Sequence, residues 1–315
     1  MGSVPNIPET AYYYTNLDTF KLILQYGTLR FKESTESNDK KDTKVMNERI
    51  RKVLPEMIDT LINQNMEVED VKFAEGLFNY IKGPNRVNMV ACLTRKPDSR
   101  FLWDSYTMNR LGRESSRYNG VCIEIKISEL LKCMQDVEGD FDYRGIENII
   151  YGNNATDEIL REWIKEFHNQ YLELKDDPDQ KQNLIPTITV PYPFGTKAIA
   201  MDLRKKIVFP TLDLLQKVDC YAPYFKDGFW REEEEVRAVL SINKNKIKES
   251  GACHSKAPEF YYFDVDITER CIQKVILGPE FSDDDQKVLK SITGRINYEK
   301  LVKEKSVGTG VITNQ

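Results

Sequence analysis

Apolar residues recur along this chain at two spacings, and the spacing changes from one stretch to the next. Tyr12-Tyr13-Tyr14 reads as a short aromatic strand. Leu17, Phe20, Ile23 and Leu24 then fall on one face of a helix that Asn16 or Asp18 caps and Gly27 closes. Thr28 to Lys32 returns to strand, and residues 34 to 44 read as a polar loop with a turn at Ser37-Asn38-Asp39. Helical periodicity fills Val45 to Asn65 and Val71 to Ile81, and Gly83-Pro84-Asn85 breaks it. Val87 to Thr94 has the continuous apolar character of a buried strand.

Residues 98 to 111 predict a loop and short helix carrying Trp103, Asp104 and Tyr106. Val121 to Ile127 follows as a strand, with Ser128 as the cap of a short helix. Ile146 to Tyr151 reads as a strand, Thr156 to Leu174 as an amphipathic helix, and residues 175 to 195 as a Pro- and Asp-rich connector. Ala198 to Val218 predicts a helix that Pro210 kinks or breaks. Glu259 to Val265 and Lys274 to Leu277 read as strands, Ser282 caps a helix to about Ile292, and Arg295 to Tyr298 reads as a last short strand. Residues 307 to 315 are small and polar, the composition of a fraying end. Strands and helices mix without strict βαβ alternation, so the expected class is α+β.

The stretch that bears most on function is Trp230-Arg231-Glu232-Glu233-Glu234-Glu235-Val236-Arg237. Val236, Ala238 and Leu240 alternate with Glu235, Arg237 and Val239, a strand's period of two. A strand that begins near Glu233 puts Glu233, Glu235 and Arg237 on one face. Two carboxylates and a guanidinium on a half-buried face cost desolvation energy unless they are paired with each other or with a ligand. Two plainer readings compete: an exposed ion pair on a surface strand, and a helix in which Glu233 and Arg237 are neighbours at i, i+4. Tyr12 to Thr15 and Trp103 to Tyr106 likewise read either as packing aromatics or as a stacking wall with hydroxyl handles for a planar ligand.

With 315 residues, 40% hydrophobic, the chain can bury a sizeable core. A net charge of −5 speaks against a dominant phosphate-binding surface. The basic clusters Lys40-Lys41 and Arg204-Lys205-Lys206 are short and read as solvated faces. No apolar run is long enough to span a bilayer, and the first residues lack the order of a signal peptide. Six cysteines without CxxC spacing, two of them (Cys92 and Cys122) inside apolar runs as small hydrophobes, predict a reducing, cytoplasmic setting and no zinc site. His168 lies in a helical pattern and His254 in a polar stretch, too few histidines for a His-based triad or metal centre. No Gly pattern of a dinucleotide fold or P-loop occurs.

Taken in order, the motifs resemble those of a large prokaryotic family known only as a domain of unknown function. They are Tyr12 to Leu17, Gly27-Thr28-Leu29, Ser37-Asn38-Asp39, Cys92-Leu93-Thr94, Trp103-Asp104-Ser105-Tyr106, Gly120 to Ile123, Trp230-x-x-Glu233-x-Glu235-x-Arg237 and Ile276-Leu277-Gly278-Pro279. That family in turn resembles distant ADP-ribosyltransferases. The resemblance implies a split mixed sheet with helical insertions at about 45–82 and 152–219, in one catalytic domain over residues 1–315. It implies NAD as substrate and transfer of ADP-ribose to a macromolecule (RNA, DNA or protein). It also implies a cytoplasmic toxin in antiviral defence, with an antitoxin as partner and no membrane. Glu235 would be the late catalytic glutamate and Glu233 the residue that positions or deprotonates the acceptor. Tyr13, at the position where those enzymes place His, would contact the cofactor with Thr15, Trp103, Tyr106 and Arg237. Two other classes remain open. One is a metal-dependent nuclease with Glu233, Glu235, Asp39 and Asp104 as oxygen ligands for Mg²⁺; the other is a non-enzymatic partner of a chaperone or antitoxin.

Overall fold

In the computed structural model the described residues are 7–34, 45–80, 86–107, 109–110, 116–138, 141–175, 187–192, 195–200, 207–247, 253–256 and 259–306. The Ser37-Asn38-Asp39 turn, both basic clusters and residues 307–315 lie outside them. The first elements follow local signals. After strand β1 (Thr10–Thr15), the Asn16 side chain accepts from the Thr19 amide at 2.8 Å and starts helix α1 (Leu17–Tyr26). Gly27 ends it at φ 64°, the left-handed region that suits glycine, and its N–H donates to Ile23 O. Then come β2 (Thr28–Glu33), α2 (Val45–Asn63), α3 (Val68–Tyr80) and β3 (Arg86–Thr94). The single turn α4 (Arg100–Leu102) leads into a π-helical turn, Trp103–Thr107, and the short pair β4 (Asn109–Arg110) and β5 (Ser116–Arg117).

Next are β6 (Val121–Lys126), α5 (Ile127–Gln135), β7 (Phe141–Asn148), β8 (Ile150–Tyr151) and α6 (Asn153–Lys175). Helix α5 starts at Ile127 with Lys126 at its cap position, so Ser128 lies inside the helix and not at its cap. Strands β9 (Thr187–Tyr192) and β10 (Gly195–Ala200) pair antiparallel in full register. Residues 198–200 are therefore strand where helix was expected: the partner strand, rich in Thr, Ile and Val, overrides a weak helical period. Helix α7 (Val208–Tyr221) carries Pro210 in its first turn, where the missing N–H has no intrahelical partner to lose, so the proline opens the helix.

The chain closes with β11 (Phe225–Lys226), β12 (Glu235–Asn243), β13 (Cys253–Lys256), β14 (Glu259–Asp266), β15 (Ile272–Leu277), α8 (Asp283–Lys290) and β16 (Lys303–Lys305). Ser282 caps α8 in a reciprocal capping box with Asp285. His254 lies in strand β13 and not in a loop. Residues 295–298 form no strand. Arg295 and Ile296 donate their amides to Gln25 O and Leu24 O at the end of α1, and a 3₁₀ turn, Tyr298–Lys300, follows.

The chain divides into two compact units. Unit 2 comprises Lys41–Asn85 and Ile150–Gly228, and packs α2, α3, α6 and α7 around its own core of Ile50, Leu54, Leu61, Leu160, Ile164 and Leu214. Unit 1 comprises Met1–Lys40, Arg86–Ile149 and Phe229–Gln315. It holds a mixed sheet that, among the described residues, has ten strands, giving the α+β class. One face of the sheet packs against α1, α5 and α8 through Phe20, Leu24, Leu130, Met134 and Leu289.

The middle of that sheet is divided. Strand β12 pairs along all of one edge of β3, from Glu235↔Thr94 to Asn243↔Arg86. The other edge of β3 takes β2 at Val90 and Met89 and β1 at Thr94. Between them neither strand pairs with Ala91, Cys92 or Leu93. Strands β1 and β2 diverge there, and the core side of β12 and β3 (Val236, Ala238, Leu240, Met89, Ala91) stays fully packed. Among the described residues no helix is long and apolar enough to cross a membrane.

Candidate active site at the split of the sheet

Four consecutive glutamates reach this split in two different roles. Gly228–Glu233 is a 3₁₀ helix, Glu234 turns through a left-handed φ of 42°, and β12 begins only at Glu235. The strand therefore starts two residues later than the alternation suggests, because Glu234 takes a conformation no strand residue adopts. The turn is fixed to the end of β3. The Thr94 hydroxyl donates to Glu233 O at 2.6 Å, the Arg95 amide donates to Glu234 O at 3.0 Å, and Lys96 Nζ donates to Glu232 O at 2.8 Å. Lys96 also pairs with the exposed carboxylates of Glu232 and Glu234, both at 3.2 Å. The remaining two glutamates point inward and are buried, Glu233 at 3% and Glu235 at 4% exposure.

Glu235 is held by the next residue on its face. Arg237 Nε and Nη2 both donate to Glu235 Oε1, at 2.9 and 2.8 Å. The guanidinium has no exposed surface, so the carboxylate supplies the opposite charge that its burial demands. Register sets the surroundings: Glu235 is opposite Thr94, and Arg237 is opposite Cys92 on β3 and Glu147 on β7. Burial pushes the Glu147 carboxyl above the usual carboxylate range.

Cys92 departs from its expected role as a buried hydrophobe. It sits in the middle of a central strand and is nevertheless exposed, beside the wholly buried Arg237. The divergence of β1 and β2 explains this, since it removes the neighbour that would cover the thiol. Solvent reaches the centre of the sheet at this point.

Tyr106 closes the site from the π-helical turn. Its hydroxyl donates to Glu233 Oε1 at 2.5 Å, and the residue is 36% exposed. Burial and the adjacent Glu233 carboxylate push its phenol far above the usual range, with smaller contributions from Cys92 and Glu235. Trp103, 2% exposed, lies in a satellite cluster with Tyr14, Leu102, Cys122 and Ile276. Its ring meets Tyr14 edge-on at 5.0 Å, and its indole N–H donates to Asp98 Oδ1 at 2.8 Å. It is a strut under the loop rather than an open stacking wall. Tyr14 completes that brace: its hydroxyl donates to Lys96 O and accepts from the Ser99 amide.

Strand alternation puts Tyr12 and Tyr14 on the Thr94 side of β1, and Tyr13 and Thr15 on the other. Tyr13 packs against the main core and hydrogen-bonds Thr15. Burial pushes its phenol up to about 12, with smaller influences from Cys92 on β3, Arg30 on β2 and Asp264 on β14. Glu233, Glu235, Arg237, Tyr106 and Cys92 are thus brought together, Tyr13 borders them from the core side, and Thr15 and Trp103 serve as supports. Cys92 and Lys96 were not legible as site residues, and Tyr14 was legible only as part of an aromatic strand, because their roles depend on strand divergence and a loop brace that no local pattern encodes.

Compared against family models, curated proteins and solved structures, the chain matches none.

Of the oxygen set expected for a divalent cation, only part lies among the described residues. Asp39 lies outside the described residues, Asp104 is exposed beside Tyr118, and among the described residues no group of three or more His, Cys, Asp or Glu is placed to hold a metal ion. What the geometry offers is a buried, ion-paired carboxylate, a second buried carboxylate under a tyrosine hydroxyl, and an exposed thiol at Cys92 opposite Arg237.

Proposed function

We propose that the chain is an ADP-ribosyltransferase-like enzyme that cleaves NAD and transfers ADP-ribose to RNA, DNA or protein. The observation that carries this reading is the buried Glu235–Arg237 pair at the start of a central strand, next to the split where solvent reaches Cys92. Breaking a nicotinamide–ribose bond builds positive charge on the sugar, as glycoside hydrolysis does. A carboxylate held still by a guanidinium stabilises such charge without reorganising. Glu235 has that role, and Arg237 orients it through two hydrogen bonds to one oxygen. Glu233 takes the proton of the attacking acceptor, with the Tyr106 hydroxyl holding its carboxylate until the acceptor arrives. Tyr106 offers a partly exposed ring to a planar ligand, and Tyr13 a hydroxyl from the core side. The attachment of β1 and β2 to different heights of β3 supports the split sheet expected from the resemblance. The setting that goes with it is a cytoplasmic toxin in antiviral defence, restrained by an antitoxin.

The test is incubation with NAD labelled in its adenylate, in a cell lysate, followed by separate nuclease and protease digestion to identify the acceptor. Label should transfer to one class of macromolecule and be lost in Glu235→Gln. Absence of transfer to nucleic acid and to protein would overturn the reading.

A further inference from the structure

Away from this site, Cys133 and Cys271 face each other with their sulfurs 3.6 Å apart. Cys133 lies near the end of α5, and Cys271 ends the 3₁₀ turn Glu269–Cys271 that leads into β15. The two residues are 138 positions apart in sequence, so only the packing of α5 on that turn brings them together. Cys271 is wholly buried and Cys133 is partly exposed. The Cys271 thiol also lies 3.9 Å from the Thr268 hydroxyl, and its amide donates to Thr268 O at 2.9 Å, which fixes its position. Going from 3.6 Å to a bonded S–S distance needs an approach of roughly 1.5 Å, within the reach of side-chain rotation.

We propose that Cys133 and Cys271 form a reversible dithiol–disulfide site whose oxidant is a low-molecular-weight disulfide. The Cys133 thiolate, the accessible one, attacks a sulfur of the oxidant. One S–S bond breaks, a mixed disulfide forms, and the first small thiol leaves. The Cys271 thiolate then attacks the Cys133 sulfur, the protein disulfide forms and the second small thiol leaves. Two electrons pass to the oxidant, and the two cysteine protons end on the released thiols. Burial and the neighbouring Cys271 push the Cys133 thiol up to about 12, so the exchange runs faster as pH rises. The product ties α5 to the turn that enters β15, at the edge of the main core.

The experiment treats the full-length native protein with oxidised glutathione at mildly alkaline pH, blocks free thiols, and maps peptides without reduction. The expected result is a Cys133–Cys271 linked peptide lighter by about 2 Da than the two thiol peptides. The melting temperature rises with it, and dithiothreitol reverses both. Cys133→Ser and Cys271→Ser each lose the link, and the partly exposed Cys133→Ser keeps a native circular dichroism spectrum. Finding both cysteines alkylated as free thiols after treatment, or only a glutathione adduct on Cys133, overturns the proposal.

Discussion

Arg237 has no exposed side-chain surface, yet it carries a full charge that Glu235 meets through two short hydrogen bonds. Removing one member of a buried pair strands the other, a loss of about 3–5 kcal/mol. Arg237→Met is therefore expected to lower the unfolding free energy by that amount in urea titrations, and a change below about 1 kcal/mol would mean the pair is solvated. Tyr13 gives a second residue-level test. Its folded pKa of about 12 stands above the usual tyrosine value, so the fold favours the protonated phenol. That contribution to stability is fully present below pH of about 10 and is lost as pH rises toward about 12. Spectrophotometric titration of the native protein should contain a phenolate step near 12, shared with Tyr298, that Tyr13→Phe lowers by one phenol. A difference step near 10 instead would show an open, solvated ring.

At the scale of elements, glycines pack the start of β6 and the end of β15 closely. A Cβ on Gly278 would stand 2.4 Å from Tyr118 O and 2.8 Å from Gly120 O, and one on Gly120 would stand 2.4 Å from Thr15 O. The Gly278 amide donates to Gly120 O at 2.9 Å, so the start of β6 and the end of β15 are in contact. Gly278→Ala must move backbone and is expected to cost about 1–3 kcal/mol, read as a fall in denaturation midpoint; an unchanged midpoint would contradict the close approach. Such elements were legible where the signal is local. Asn16, Gly27 and Ser282 mark helix ends by their own chemistry, and the alternation from Glu235 to Leu240 marks β12. The β9–β10 hairpin, the helix start at Ile127 and the left-handed Glu234 were not, because pairing partners or tertiary contacts decide them.

Across the whole molecule, the site joins residues that the sequence keeps far apart. Tyr106 and Glu233 are separated by 127 positions and meet at 2.5 Å. Residue types and spacing were enough to single out Glu233, Glu235 and Arg237 as one constellation and Trp103 to Tyr106 as a separate one, and only the resemblance joined them. They did not reveal that solvent enters at Cys92, since exposure of a central strand follows from where β1 and β2 part. That entrance predicts that NAD slows alkylation of Cys92 by a small maleimide, measured by mass spectrometry; an unchanged rate would place the ligand elsewhere. The most direct measurement of the central claim is nicotinamide release from NAD by the purified protein and by Glu235→Gln, with native folding of both checked by circular dichroism. The account predicts release by the parent protein and a loss of at least about 100-fold in the variant. Equal release by a folded Glu235→Gln, or none by the parent in the presence of its acceptor lysate, would contradict it.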